Sequence, residues 1–112
     1  MHELSITYGI VEVVAEAAKG RRVRRVTVEI GELTGVMSES LAFWFPEVAK
    51  GTEAEKASLE IHQVAALARC EACGTEFVTP SMLTICPCGS YQFKRLRGEE
   101  LNVQSIELEE VV

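Results

Sequence analysis

Clustered cysteines constrain this chain more than any other feature. All four of them lie between positions 70 and 88 of 112 residues, as the pairs Cys70/Cys73 and Cys86/Cys88. Two residues separate the first pair, a spacing that lets both thiolates reach one tetrahedral ion, and the single residue within the second pair makes a tighter loop that can still chelate. Because a four-thiolate set leaves no open coordination position, this spacing predicts a structural zinc site. Disulfide pairing and redox-active cysteines are the alternatives.

Two segments have the periodicity of amphipathic helices. The first lies near the N-terminus, and the apolar residues expected to share its buried face are Ile6, Ile10, Val13, Val14 and Ala17. The second begins at a candidate N-cap, Ser38. Its predicted buried positions are Leu41, Phe45 and Val48, and the aromatic run at 43–45 is expected to belong to the core, with Trp44 a candidate for reaching an interface.

Three segments alternate apolar and polar residues, which is typical of strands with one buried face. They are residues 26–30, 59–62 and 101–108. In the last of them the alternation changes phase between Val103 and Ile106, which indicates a bulge or a break. The sequence therefore predicts an α+β fold in which a small three-stranded sheet is flanked by two helices and carries an inserted zinc-ribbon-like domain.

The cysteine segment lies between the second and third predicted strands. The expected division of the chain is therefore an α+β domain made of residues 1–66 and 98–112, with a zinc-binding insert at residues 67–97. An insert of about thirty residues cannot bury enough apolar surface to fold alone, so a bound metal would supply much of its stability.

The composition argues against a conventional enzyme. The chain has no Asp and only two histidines, His2 and His62, so neither a Ser-His-Asp triad nor a three-histidine zinc site can form. A net charge of −6, and a basic run Arg21–Arg25 without an aromatic platform, argue against nucleic-acid binding. No apolar stretch approaches the ~20 residues that span a bilayer. We therefore expect a cytoplasmic protein that binds neither nucleic acid nor membrane.

His2 is unusual for its position. The α-amine, backbone amide nitrogen and imidazole of a second-position histidine can close adjacent chelate rings on one ion, and the amide of Glu3 can complete a square-planar nitrogen set. That geometry is the one preferred by Ni(II) and Cu(II). The alternative is an exposed histidine in a frayed terminus. For His62, on the polar face of its strand, an exposed structural histidine is expected.

Several motifs occur in a characteristic order: the opening Met-His-Glu-Leu-Ser-Ile, Glu-Ile-Gly-Glu-Leu at 29–33, the paired-cysteine insert, Cys-Gly-Ser at 88–90, and Ile-Glu-Leu at 106–108. In this combination the whole chain resembles the HypA/HybF family of hydrogenase nickel incorporation proteins. The resemblance implies a metallochaperone, not an enzyme, that delivers nickel to the large subunit of NiFe hydrogenase with a HypB-like GTPase partner. Some members of the family also serve urease maturation.

The resemblance also implies two metal sites. The nickel ligands would be Met1, His2 and Glu3, and the zinc ligands Cys70, Cys73, Cys86 and Cys88. The family usually has C-P-x-C-G-S in the second arm, whereas this chain has one residue fewer, in Cys86-Pro87-Cys88-Gly89-Ser90. Either a distorted four-thiolate site or a three-thiolate site with water would fit that arm, and zinc is expected in both cases. The alternative function is a zinc-ribbon adaptor in a nucleic-acid or protein-interaction complex.

Overall fold

The computed structural model describes residues 2–78 and 85–110, and describes His2 by its main chain only. The helices of this part are α1 (His2–Ala18) and α2 (Ser38–Ala49), and a 3-10 turn spans Glu32–Thr34. The strands are β1 (Val23–Gly31), β2 (Ser58–Val64), β3 (Leu67–Cys70), β4 (Glu76–Val78), β5 (Phe93–Arg97) and β6 (Leu101–Leu108). One sheet has the order β2-β1-β6 and the other β4-β3-β5. The predicted α+β class, with its three-stranded sheet, two helices and cysteine ribbon, is confirmed.

Helix α1 buries a different stripe from the one predicted. Its buried residues are Thr7, Ile10, Val11, Val14 and Ala18. The prediction was wrong for Val13, which is 53% exposed, and for Ala17, which is also exposed. At 100° per residue, Val13 lies about 110° around the helix from the centre of the buried stripe. Thr7 can occupy a core position because its hydroxyl donates to the carbonyl oxygen of Glu3 at 2.5 Å.

Helix α2 begins one residue earlier than its predicted cap implied. Its N-cap is Met37 and Ser38 is the first helical residue, so the prediction of Ser38 as the cap was wrong. Its buried residues recur every four positions, at Leu41, Phe45 and Ala49. Phe43 lies between two of these positions on the other side of the helix and is 69% exposed, while Trp44 is half-buried. Phe43 therefore does not belong to the core, contrary to expectation.

Strand β1 is the centre of the first sheet. Its residues Val26, Val28 and Ile30 are buried, whereas Thr27 and Glu29 between them are only half-buried, as the alternation predicted. In β6 the apolar residues Val103, Ile106 and Leu108 are half-buried, which matches the predicted change of phase. Leu101, at the start of the strand, is 40% exposed, and Glu107 is half-buried. The buried residues of β1, α1 and α2 make up most of the apolar core.

The chain divides into two compact units. One comprises Met1–Glu29, Val36–His62 and Asn102–Val112, and the other comprises Ile30–Gly35 and Gln63–Leu101. The domain boundaries expected from the sequence stay a prediction. Among the residues described, neither helix has the length and hydropathy that a membrane span requires.

Two glycines of the second unit bring main chains into direct contact. The N–H of Gly31 donates to the carbonyl oxygen of Glu100 at 2.7 Å, and that of Leu33 donates to the carbonyl oxygen of Gly98 at 2.8 Å. A Cβ atom on Gly31 would lie 2.1 Å from the carbonyl oxygen of Gly98. Gly98 itself has φ of 123°, a conformation that side-chain-bearing residues rarely adopt. Only glycine fits this approach at either position.

Candidate metal centres

The four cysteine thiols converge on one point. All four Sγ atoms lie within 4.8 Å of one another, with Cys70 to Cys88 and Cys73 to Cys86 each separated by 3.6 Å. All four cysteines are free, and these separations far exceed the ~2.05 Å of a disulfide bond. Four thiolates around zinc at ~2.3 Å would lie ~3.8 Å apart, so the cluster has nearly the dimensions of a tetrahedral zinc site.

The sheet β4-β3-β5, called the ribbon from here on, positions Cys70 of the first cysteine pair. Cys70 ends β3, whose residues pair with β4 on one side and β5 on the other, both antiparallel. Cys70 lies opposite Phe93, whose ring makes an edge contact with Phe77 at 6.1 Å. Cys70 and Cys86 are buried, whereas Cys73 and Cys88 are exposed. A metal ion held by these four thiols would therefore have two buried and two exposed ligands.

The shorter second arm keeps the turn of the first arm with one residue removed. In the first arm the N–H of Gly74 donates to the carbonyl oxygen of Cys70, four residues back, at 2.9 Å. In the second arm the N–H of Gly89 donates to the carbonyl oxygen of Cys86, three residues back, at 2.8 Å. Both glycines have positive φ, 78° and 95°. The missing residue is thus absorbed in the turn, and all four thiols still meet.

Hydrogen bonding and burial divide the thiols by acidity. Hydrogen bonds from the side chain and backbone of Thr75 lower the pKa of Cys73 to about 6, and a backbone hydrogen bond at Cys73 lowers the pKa of Cys70. For Cys86, a hydrogen bond from the backbone of Cys88 favours the thiolate, yet burial and the neighbouring thiols raise the pKa to about 12. A dication that binds all four sulfurs must therefore displace protons at neutral pH.

The predicted nickel site falls largely outside the described residues. Met1 and the side chain of His2 lie outside them, which leaves Glu3 as the described ligand candidate. The backbone N–H of Met37 donates to Oε2 of Glu3 at 3.3 Å, and the Thr7 hydroxyl donates to the Glu3 carbonyl oxygen. Glu3 therefore fixes the first turn of α1 to the residue before α2. It is half-buried, so part of its carboxylate faces solvent.

The remaining polar groups singled out in the sequence take structural roles. His62 is exposed and its Nε2 lies 3.0 Å from Oε1 of Glu60, a hydrogen bond that raises the pKa of His62. Within the basic run, Arg25 pairs with both Glu60 and Glu107 at 3.3 and 3.1 Å, and Arg24 pairs with Glu107 at 2.9 Å. These cross-strand ion pairs are consistent with a solvated basic segment.

Across the described residues, the cysteine cluster is the one group of three or more potential metal ligands that lie close enough to share an ion. Sequence spacing found this group, but it did not find the turn geometry that accommodates the short arm, nor strand β5 that supports the cluster. Two small sheets, two helices and a ribbon-borne cysteine cluster define the chain as an α+β protein with a ribbon-type metal site.

Comparison with known proteins narrows this class to one family. The family model described as hydrogenase/urease nickel incorporation, metallochaperone, HypA matches residues 1–108. The chain therefore belongs to the HypA family of nickel metallochaperones and hydrogenase maturation factors, which confirms the resemblance read from its motifs.

Relatives across bacteria match the chain over nearly its whole length. It is 44% identical over 111 residues to the hydrogenase maturation factor HypA of Nostoc sp., covering 99% of this chain and 98% of that protein. It is 43% identical over 110 residues to HypA of Geobacter sulfurreducens, covering 97% of this chain and 100% of that protein.

Two solution structures have the same fold. A HypA protein matches with a TM-score of 0.72 and 23% identity, covering 97% of both chains. The Ni metallochaperone HypA from Helicobacter pylori matches with a TM-score of 0.66 and 22% identity, covering 95% of this chain and 96% of that chain.

Proposed function

We propose that this chain is a metallochaperone that binds one Ni(II) ion at its N-terminus and delivers it for the maturation of NiFe hydrogenase. The carrying observation is the family match over residues 1–108, in a chain with histidine at its second position. The match includes the terminal segment in which Met1, His2 and Glu3 would ligate the ion. Urease, which the family description also names, is a second possible recipient. The chain carries its cargo and catalyses no reaction of its own.

The start of α1 supports nickel ligation through backbone nitrogens. The helix begins at His2, and the N–H groups of a first helical turn have no carbonyl four residues earlier to which they could donate. Ligation through these nitrogens therefore costs no helical hydrogen bond. Two deprotonated amides also balance the charge of Ni(II), so the positive end of the helix dipole does not oppose binding.

Glu3 links the proposed nickel site to the rest of its unit. Its carbonyl oxygen accepts from Thr7 and its carboxylate accepts from Met37, so the backbone that would carry the nitrogen ligands is held in place. If the Glu3 carboxylate turned from Met37 to the ion, it would give up one hydrogen bond worth about 1 kcal/mol. The cost of recruiting Glu3 as a ligand is therefore small.

The cysteine cluster supports a second, structural metal site. Its thiols lie at separations close to those of a tetrahedral zinc site, and four protein ligands leave no position for a substrate. We assign zinc to Cys70, Cys73, Cys86 and Cys88, and retain residues 67–97 as the zinc-binding insert. Residues 1–66 and 98–112 then form the nickel-binding domain.

The partners included in this proposal are a HypB-like GTPase and the hydrogenase large subunit, in the cytoplasm. The family description and the names of the relatives point to hydrogenase maturation. No membrane or nucleic acid is required at any step.

Nickel titration of protein with an untagged native N-terminus tests the nickel site. Wild type and the control His62→Ala should each bind one Ni(II) in calorimetry, because His62 is an exposed histidine remote from the terminus in sequence. His2→Ala should lose nickel binding while all three proteins retain equal zinc by elemental analysis. Nickel affinity should also fall with decreasing pH, because the ion displaces ammonium and amide protons. Unchanged nickel affinity in His2→Ala would refute the assignment.

A further inference from the structure

The two helices expose a groove lined with aromatic side chains. Leu4 and Tyr8 of α1 line one part of it, and α2 contributes Phe43, Trp44, Glu47 and Val48. Its volume is about 470 Å³. Tyr8 is 59% exposed and Phe43 is 69% exposed, although aromatic side chains of this size usually bury most of their surface. We refer to these six residues as the helix groove.

The helix groove has a regular geometry. Its residues are spaced four apart on both helices, as in Leu4 with Tyr8 and Trp44 with Val48, so each helix presents a row of side chains along its axis. The ring centroids of Phe43 and Trp44 are 5.2 Å apart in an edge-to-face arrangement, so α2 presents two adjoining aromatic rings to the groove. A groove lined by a row of side chains from each of two helices can receive a third helix, whose own i and i+4 side chains would fill it.

The two helices that form the groove carry a net negative charge. Helices α1 and α2 together contain five glutamates and no lysine or arginine: Glu3, Glu12, Glu16, Glu39 and Glu47. Glu47 lines the groove and pairs with Lys50, just after α2, at 3.1 Å. Glu12, four residues after Tyr8, and Glu39, four residues before Phe43, continue the two rows of the groove on their helices and are exposed. A segment that docks here would therefore gain from positive charge along its edges.

The same charge argues against a symmetric dimer through this surface. A two-fold interface places each patch against a copy of itself, which would bring the acidic faces of both helices together. We propose that the helix groove docks a cationic amphipathic helix of a partner protein, with apolar side chains in the groove and lysine or arginine at its rim. This inference depends on the surface of α1 and α2 and not on nickel binding.

A model peptide can test the proposal, because the chain contains a single tryptophan and Trp44 lies in the groove. The probe is an 18-residue peptide of leucine and lysine, with leucines at i, i+3 and i+4, titrated into the full chain loaded with zinc. Trp44 emission should shift to shorter wavelength and saturate. A scrambled peptide of the same composition should bind at least tenfold more weakly, and a peptide with glutamate in place of lysine should not bind.

Variants locate the binding surface. Phe43→Ser and, independently, Tyr8→Ser should each weaken the amphipathic peptide at least tenfold, because truncated aromatic anchors commonly lose this much binding energy. Both side chains are largely exposed, so circular dichroism should remain that of wild type. Tyr91→Ser is the matched control, since Tyr91 is 75% exposed and lies on the ribbon; it should change affinity less than twofold.

Three results would overturn the proposal. The first is equal binding of the amphipathic and scrambled peptides, which would reduce the effect to bulk charge. The second is an equal loss in Tyr91→Ser and Phe43→Ser. The third is concentration-dependent self-association in sedimentation velocity that Phe43→Ser abolishes, which would make a second copy of this chain the occupant of the helix groove.

Discussion

Replacement of Gly31 by alanine should destabilise the protein by about 2–4 kcal/mol. The new Cβ would lie 2.1 Å from the Gly98 carbonyl oxygen and 2.6 Å from the Glu99 nitrogen, both main-chain atoms that cannot rotate away. Normal contact needs a separation more than 1 Å greater, near ~3.5 Å. That movement would break the hydrogen bonds of Gly31 and Leu33 in this turn, now 2.7 and 2.8 Å. Each contributes about 1 kcal/mol, and leaving a buried group unpaired costs about 1–3 kcal/mol.

Gly9→Ala is the matched control for this substitution. Gly9 lies within α1 and a Cβ there meets nothing within 4 Å, so alanine should stabilise the protein by about 0.5–1 kcal/mol. Both variants change the unfolded chain alike, so their difference isolates the clash at Gly31. Urea unfolding followed by circular dichroism at fixed free zinc measures both. A Gly31→Ala variant within about 0.5 kcal/mol of wild type would refute the close-contact reasoning.

Two further predictions concern the stability of the ribbon and the ion pair between His62 and Glu60. Chelation of the metal bound by the ribbon should raise amide hydrogen exchange in β3, β4 and β5 before it does so in α1 and α2. The reason is that the ribbon has few buried apolar residues of its own. A simultaneous rise of exchange in both helices would contradict this prediction. The ion pair of His62 and Glu60 raises the pKa of His62 above 6.5 and lowers that of Glu60 below 4.5. Its contribution is therefore complete between about pH 4.5 and 6.5, and it is lost above that range as His62 deprotonates. His62→Gln should remove a small stability gain seen at about pH 6 relative to pH 8, and an unchanged difference in urea midpoints would contradict it.

The strands were predictable because one-sided burial leaves a period of two in the sequence. Val26, Val28 and Ile30 alternate with polar residues, and the change of phase in β6 was visible in the same way. The contact of Gly31 with Gly98 was not predictable, because it joins positions far apart in sequence and depends on main-chain hydrogen bonds. Gly31 could be noticed in the sequence as part of a motif, but the contact that requires glycine at this position is visible only in the structure.

The cysteine cluster shows a similar division. Four thiols in two close pairs predicted a shared metal site, because spacing alone limits how far each pair can separate. Whether the short arm could close was open, since that depended on the conformation of the turn. The structure closes it with a hydrogen bond from Gly89 to the carbonyl oxygen three residues back and a positive φ at Gly89, where the corresponding hydrogen bond of the other arm reaches four residues back. The convergence of the four thiols was therefore predictable from the sequence, and the closure of the short arm was not.

The largest error of the sequence prediction lies in the helices, and it bears on function. Helical periodicity in α2 fits more than one phase because Phe43, Trp44 and Phe45 are consecutive, so at most part of this run can face the core. Burial of Leu41, Phe45 and Ala49 turns Phe43 outward, next to Tyr8 of α1. An aromatic ring left exposed by the phase of its helix contributes little to the stability of the free chain. The proposed cationic helix would cover this ring, and the glutamates of α1 and α2 would complement its charge.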